Sequence, residues 1–194
     1  MNFLKRTYNW TLEKAQHKNA KWYLSLISFA ESSFFPIPPD ILLIPMALAS
    51  KANALFYAFI CTLFSILGGI LGYAIGYFFY NSLGIYIVEF YHLENSFSVF
   101  ENYYKEFGIL IVLGAGITPF PYKFITIASG VFGLNIFLFI IISIIGRGLR
   151  FYLIAILLYF FGEKIKLFID KYFNILTIVF FILLVGSVFI IRFI

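Results

Sequence analysis

The side chains that could do chemistry in this chain stand where charge is expensive. Glu31, Asp40, Lys123, Arg147 and Arg150 all fall inside otherwise apolar stretches. At the centre of a bilayer each would cost about 2.5–3.5 kcal/mol on insertion scales. Unpaired, the set would cost on the order of 10 kcal/mol, comparable with the stability of a whole domain. They must therefore pair with one another or line a wet cavity. A buried carboxylate can hold and release a proton. An arginine fork matches phosphate oxygens in two-point contact, whereas lysine offers a point charge. Arg147 and Arg150 share one helix face. The chemistry on offer is anion recognition by Lys123, Arg147 and Arg150, with proton coupling at Glu31 or Asp40. The competing reading is a salt-bridge cluster that only joins helices, although buried ion pairs are a poor source of stability.

Enzymatic chemistry is not expected. His17 and His92 stand in polar segments, and the chain has no His-Glu-x-x-His, no metal-ligand spacing and no Gly-x-Ser-x-Gly. The single cysteine, Cys61, lies in an apolar run and offers no disulfide or thiolate metal site. No cofactor and no metal are called for.

The elements that must position these charges are broken by proline. Glu31–Ile44 reads ESSFFPIPPDILLI and Thr118–Ile127 reads TPFPYKFITI. Laid on each other, Pro36 falls on Pro119, Pro38 on Pro121, Asp40 on Lys123 and Ile44 on Ile127, with Pro39 an extra break in the first copy. Each proline lacks an N–H and restricts its predecessor, so both segments are helix–break–helix units. One carries acid and the other base at the equivalent position, which places Asp40 and Lys123 together if the tips of the two units meet.

The surroundings are membrane-like. The chain is 194 residues long, 62% hydrophobic and 12% charged, against about 45–50% apolar and about 25% charged in ordinary globular domains. Several apolar runs exceed the ~18 residues that mark a membrane-span candidate. A soluble domain is excluded, and nucleic-acid binding is not a sensible reading of the +5 net charge. The expected fold is an all-α integral membrane domain. It has two re-entrant hairpins in an inverted repeat, about three transmembrane helices of ~20 residues or more, and amphipathic surface helices.

In order, residues 1–21 are predicted to form a basic amphipathic interfacial helix, with Trp22 and Tyr23 at headgroup level. Residues 22–162 form the membrane domain, with hairpins over 22–50 and 107–132 and spans over 53–80 and 134–161. Residues 22–35 supply only about 21 Å of helix, short of the roughly 30 Å hydrocarbon core, hence a hairpin that returns to its own side. Gly68, Gly72 and Gly76 form a small face for close helix approach. In 81–106, Phe97, Phe100, Tyr104 and Phe107 make an amphipathic surface helix after an Asn95–Ser96 cap. Residues 163–194 are a charged segment followed by a last span, Phe173 to Ile194.

The repeat extends beyond the hairpins. Ser65-Ile-Leu-Gly68 matches Ser143-Ile-Ile-Gly146, and Gly69 and Gly72 fall on Arg147 and Arg150. Packing should therefore fill the space beside Gly72 with another helix or with the arginine itself. Most basic side chains, among them Lys5, Arg6, Lys14, Lys18, Lys21 and Lys164, lie on the N-terminal side, against Lys105 and Arg192 on the other. That bias places the N-terminus in the cytoplasm.

Glu31, Pro-x-Pro-Pro-Asp at 36–40, Thr-Pro-x-Pro-Tyr-Lys at 118–123, Gly130 and Gly-Arg-x-x-Arg-Phe at 146–151 resemble the DedA family, also called the VTT or SNARE-associated domain, in its short YqaA-like branch. The likeness covers roughly residues 20–165. It implies two re-entrant hairpins in inverted repeat in a bacterial inner membrane, and transport of undecaprenyl phosphate or another anionic lipid, linked to protons. Family acids important for activity match Glu31 and Asp40. The basic pair departs: longer members carry two arginines around the second hairpin proline, where this chain has Thr118 and Lys123, with Arg147 and Arg150 on the next helix. The expectation is a flippase of an anionic lipid phosphate, with membrane lipids and a second copy of the chain as candidate partners. A passive scramblase and a non-transporting scaffold are the alternatives.

Overall fold

A computed structural model describes residues 19–162, apart from positions 36, 91, 93 and 119, together with Lys164. The expectations for residues 1–18, for Pro36 and Pro119, and for 163–194 other than Lys164 lie outside the described residues. All the regular elements described are helical. They are α1 (Ala20–Ser33), α2 (Asp40–Ala49), α3 (Ala54–Phe79), α4 (Ile85–Phe90), α5 (Glu94–Ile117), α6 (Tyr122–Val131) and α7 (Ile136–Gly162). A short 3-10 turn, Lys51–Asn53, leads into α3, and a π-helical turn, Tyr80–Gly84, links α3 to α4. Two helices are long and apolar enough to cross a membrane, Lys51–Phe79 and Ile136–Gly162.

The proline segments break the chain as expected. α1 ends where the amides of Phe34 and Phe35 both return to the carbonyl of Ala30, at 2.9 and 2.7 Å. α2 starts at Asp40, directly after Pro39. The second unit breaks between Ile117 and Tyr122, with Pro121 extended at φ −62°, ψ 106°. One expectation is revised: the amphipathic stretch around Phe97–Phe107 is not a separate surface helix but runs without interruption into the second unit as α5. Nothing between 95 and 117 breaks a helix, because Gly108 lacks only a side chain and keeps its N–H. On that helix Tyr104 is buried and Phe97 packs on Phe132 and Tyr80, while Phe100 stays exposed.

On α3 most of the buried positions are small or polar and the large apolar side chains face outward. The buried side of α3 is small or polar, with Ala54, Ala58, Cys61, Thr62, Ser65, Gly68, Gly72 and Gly76. Its outward side carries Leu55, Phe56, Phe59, Leu63 and Leu67, all exposed. Small residues allow backbones to approach where no hydrophobic force draws helices together. A Cβ built on Gly68 would collide with the carbonyl of Phe29 in α1, and one on Gly76 with the carbonyl of Ile127 in α6. Beside Gly72 stand Thr126 and the carbonyl of Ser32, so the space is filled by two helices and not by an arginine. α3 is thus clasped by the first arm of one unit and the second arm of the other.

Glycines at matching places in the sequence make similar contacts. Gly68 lies against Phe29 of α1, and its counterpart Gly146 lies against Leu113 and Gly116 of α5, a Cβ built on Gly116 falling 3.1 Å from the Gly146 Cα. Two apolar clusters result. One joins α1, α2 and α3 to Phe151, Ala155 and Leu158 of α7. The other joins α5 and α6 to Phe139 of α7, with Tyr73 of α3 packed against it.

Steric crowding gives a contrast that can be measured. Gly68→Ala forces a methyl group against the Phe29 backbone and should lower stability by about 1–3 kcal/mol, the usual cost of overpacking. A Cβ at Gly114 meets nothing within 4 Å, so Gly114→Ala should be neutral or stabilising by up to about 1 kcal/mol from helix propensity. Thermal unfolding of both variants in the same detergent checks this; equal melting points would mean that the α1–α3 contact is loose.

Candidate functional site

Polar side chains from α1, α3, α6 and α7 meet in a seam between the two apolar clusters. The Arg147 guanidinium marks it, lying 4.8 Å from the Tyr122 ring on one side and 4.8 Å from the Phe151 ring on the other. α1 turns Ser25, Ser28, Glu31 and Ser32 inward at helical spacing. Ser28 donates to the carbonyl of Cys61 at 2.6 Å, pinning α1 to α3.

Glu31 and Arg147 form a closed circuit. Arg147 Nη2 donates to Glu31 Oε2, and Arg147 Nε donates to Ser65 Oγ at 2.6 Å. Ser65 and Ser32 hydroxyls lie 2.7 Å apart, and Ser32 donates to Glu31 Oε2 at 3.1 Å. Each hydroxyl has one proton to give. Ser32 therefore gives its proton to Glu31, Ser65 gives its own to Ser32, and Arg147 supplies Ser65. The other carboxylate oxygen, Oε1, accepts from the backbone N–H of Tyr122 at 3.3 Å. That N–H is one of the unpaired donors at the start of α6, where the helix dipole also favours negative charge. The Arg147 side chain is 1% exposed and that of Glu31 9%. This pair is buried and satisfied, and it binds α1, α3, α6 and α7 at one point.

Asp40 and Arg150 form a second pair of different character. Arg150 Nη2 donates to Asp40 Oδ2, and Nη1 donates to the Thr118 carbonyl just past the end of α5. The side chains are 12% and 17% exposed for Arg150 and Asp40. Asp40 Oδ1 is shielded from solvent and has no partner among the described residues. This bridge ties the break of the first unit to α7 and to the break of the second. It is more open than the Glu31 pair and one oxygen short of satisfaction.

The expected meeting of Asp40 with Lys123 does not occur. Asp40 is taken by Arg150, and the half-buried Lys123 ammonium lies 5.3 Å from the Phe124 ring with no ion pair to a described carboxylate. Of the residues singled out by type, Glu31 joins Arg147 and Asp40 joins Arg150, while Lys123 stands apart. Pro38 and Pro39 lead into Asp40, and Pro121 stands immediately before α6.

Sequence reading gave no role to Ser28, Ser32, Tyr122 or Thr126. Thr126 Oγ1 donates to the Ser32 carbonyl at 2.9 Å, and the Tyr122 hydroxyl lies 2.6 Å from Ser143 Oγ. The available signal was the run of serines at helical spacing in α1, together with Ser65 and Ser143 in matching places of the repeat. Among the described residues no group of His, Cys, Asp and Glu could hold a metal ion.

Comparison with known proteins gives relatives across most of the chain. An uncharacterized protein of Haemophilus influenzae is 38% identical over 157 residues, covering 81% of this chain and 81% of its own length. The chain belongs to the family of this protein. A further family member, an uncharacterized protein of Histophilus somni, is 35% identical over 160 residues, covering 81% of this chain and 82% of its own. No family model and no solved structure matches the chain.

The two pairs should respond differently to mutation. Removing one member of a buried pair leaves an uncompensated charge at a cost of about 3–5 kcal/mol, while replacing both by apolar groups is often nearly neutral. Glu31→Gln and Arg147→Met should each destabilise strongly, and the double variant by clearly less than their sum. Asp40→Asn and Lys123→Met should instead add within about 0.5 kcal/mol, as for residues without contact. Double-mutant cycles on thermal unfolding decide it. A coupled Asp40–Lys123 cycle would contradict the pairing described here.

Proposed function

We propose that this protein is a multi-pass membrane transporter of the DedA type that moves an anionic lipid phosphate, coupled to protons, across a bacterial inner membrane. The inside-out burial of α3 and the two membrane-length helices support the membrane setting. In this reading each helix–break–helix unit is a re-entrant hairpin, and the repeats are inverted about the seam. The N-terminus is cytoplasmic, as the distribution of basic residues suggests.

The observation that carries the transport reading is the contrast between the two ion pairs. Glu31–Arg147 is enclosed and satisfied, and it acts as the fixed joint against which the hairpins are held. Asp40–Arg150 is more exposed, leaves a carboxylate oxygen without a donor among the described residues, and spans both helix breaks. A phosphate arriving at the breaks competes with Asp40 for the Arg150 fork, which suits two phosphate oxygens. Asp40, stripped of its cation in a poorly solvated place, then takes up a proton. Departure of the phosphate returns Arg150 to Asp40 and frees the proton. Lys123, with no carboxylate partner among the described residues, adds a second point of positive charge. The sequence expectation that Arg147 binds substrate gives way to a positioning role, because its guanidinium is already held between two rings, two serines and Glu31.

Reconstituted vesicles test the proposal. Wild-type protein should move a headgroup-labelled polyprenyl phosphate between leaflets and respond to an imposed pH gradient. Arg150→Gln should slow movement by roughly tenfold or more, the equivalent of one charge-assisted hydrogen bond of about 1.5–3 kcal/mol. Asp40→Asn should abolish the response to pH. Movement indifferent to pH in the wild type would favour a passive scramblase. No movement by folded protein would leave a scaffold.

Topology has its own check. With Cys61 replaced by alanine, Ser98→Cys should react with a membrane-impermeant thiol reagent from the periplasm and Lys164→Cys from the cytoplasm. Reaction of both from one side would mean that the hairpins cross the membrane fully.

A further inference from the structure

The row of α7 that meets α5 continues beyond the point where α5 ends. Gly146, Arg150, Leu153 and Leu157 are spaced i, i+4, i+7 and i+11, which sets them in line along one face of the helix. α5 runs beside the first part of that row: Gly108 meets Leu134 just before α7, and Gly116 lies against Gly146. α5 stops at Ile117, and Arg150 holds the Thr118 carbonyl immediately after it. Past that point the row is open among the described residues, with Leu153 59% and Leu157 44% exposed. An apolar groove of about 520 Å³ lies there, lined by Gly148, Leu149, Tyr152, Leu153, Ile156 and Leu157. Phe151, Ala155 and Leu158 turn the other way, into the core.

We infer that this groove is the subsite for the hydrocarbon chain of the lipid whose phosphate is held at Arg150. The inference rests on the phosphate reading of Arg150 given above and adds where the rest of the ligand lies. Charge and apolar surface follow one another in the order such a ligand needs. The guanidinium stands at the head of the row, the two leucines come next, and no charged side chain lines the groove. Depth comes from Gly148, where a built Cβ would meet nothing nearer than Thr62 at 3.9 Å. From Arg150 to Leu157 the row is about 10 Å long, room for the part of a chain nearest its head, while the remainder stays among the bilayer lipids. Lipid tails are as apolar as leucine, so the groove itself adds little affinity. Affinity comes from the charge-assisted contact at Arg150. The groove supplies direction: it keeps the chain beside α7 while the phosphate visits the helix breaks.

Photolabelling of the full-length protein in lipid vesicles tests the subsite. Two probes are compared: a prenyl phosphate with a diazirine on its second isoprene unit, and the matching prenyl alcohol. The phosphate probe should label residues 148–157 roughly tenfold more strongly than the alcohol, the difference one charge-assisted contact makes. Arg150→Gln should remove that excess. Leu153→Trp with Leu157→Trp, at two exposed positions, should remove it as well while leaving the binding of a water-soluble phosphate monoester unchanged. Equal labelling by both probes, with the monoester still bound through Arg150, would make the groove ordinary lipid-facing surface and overturn the inference alone. So would an excess that depends on Arg150 but falls on another helix, as it would if the C-terminal segment or a second copy filled the groove. Failure of the wild type to bind the monoester would remove the phosphate reading, and the inference with it.

Discussion

The structure depends on one constraint: charge buried among apolar helices must find its counter-charge and have every remaining donor and acceptor met. Glu31 and Arg147 satisfy it together. Their carboxylate and guanidinium are joined directly and again through Ser32 and Ser65, and the carboxylate also takes the first N–H of α6. No member can leave without stranding another in a low-dielectric place. Because the members come from α1, α3, α6 and α7, the circuit fixes the position of both helix–break–helix units against the two long helices. Close packing does the rest, through glycines on α3 that admit the backbones of Phe29 and Ile127.

Beside that joint the Asp40–Arg150 bridge is a more accessible link. It joins the same two units but carries a carboxylate oxygen with no donor among the described residues and is less fully buried. The difference follows from the backbone. Asp40 opens α2 directly after Pro39, so its surroundings are irregular chain rather than a packed helix face, and the nearby Thr118 carbonyl belongs to the break after α5. Broken helices expose backbone groups that a continuous helix would consume, which is why such breaks are tolerated only in protein or beside water. Under the proposed function, binding and release of an anion gain from that incompleteness.

Much of this was legible in the sequence. The prolines marked both breaks, the apolar runs marked α3 and α7, and the glycine spacing marked the face of α3 that takes other helices. The five charged residues were visible because each stood in the wrong solvent. Their pairing was not legible. Asp40 and Lys123 occupy equivalent places when the two sequence segments are laid on each other, but equivalence in sequence does not require that two side chains touch. Arg150 reaches Asp40 instead, because α2 packs across the C-terminal half of α7, where Phe151 and Ala155 share its core. The continuity of α5 was also hidden: the change from polar to apolar composition near 107 reads as a boundary, while the backbone has no reason to stop there.

The central claim is that Arg150 is shared in alternation between Asp40 and a phosphate, with a proton following the exchange. Proton uptake on ligand binding measures it most directly. Purified wild-type protein in weakly buffered detergent solution, given a short-chain lipid phosphate and read with a pH indicator, should take up protons in proportion to the ligand bound, and Asp40→Asn should bind without uptake. Binding by the wild type with no proton uptake, or uptake that persists undiminished in Asp40→Asn, would contradict the exchange.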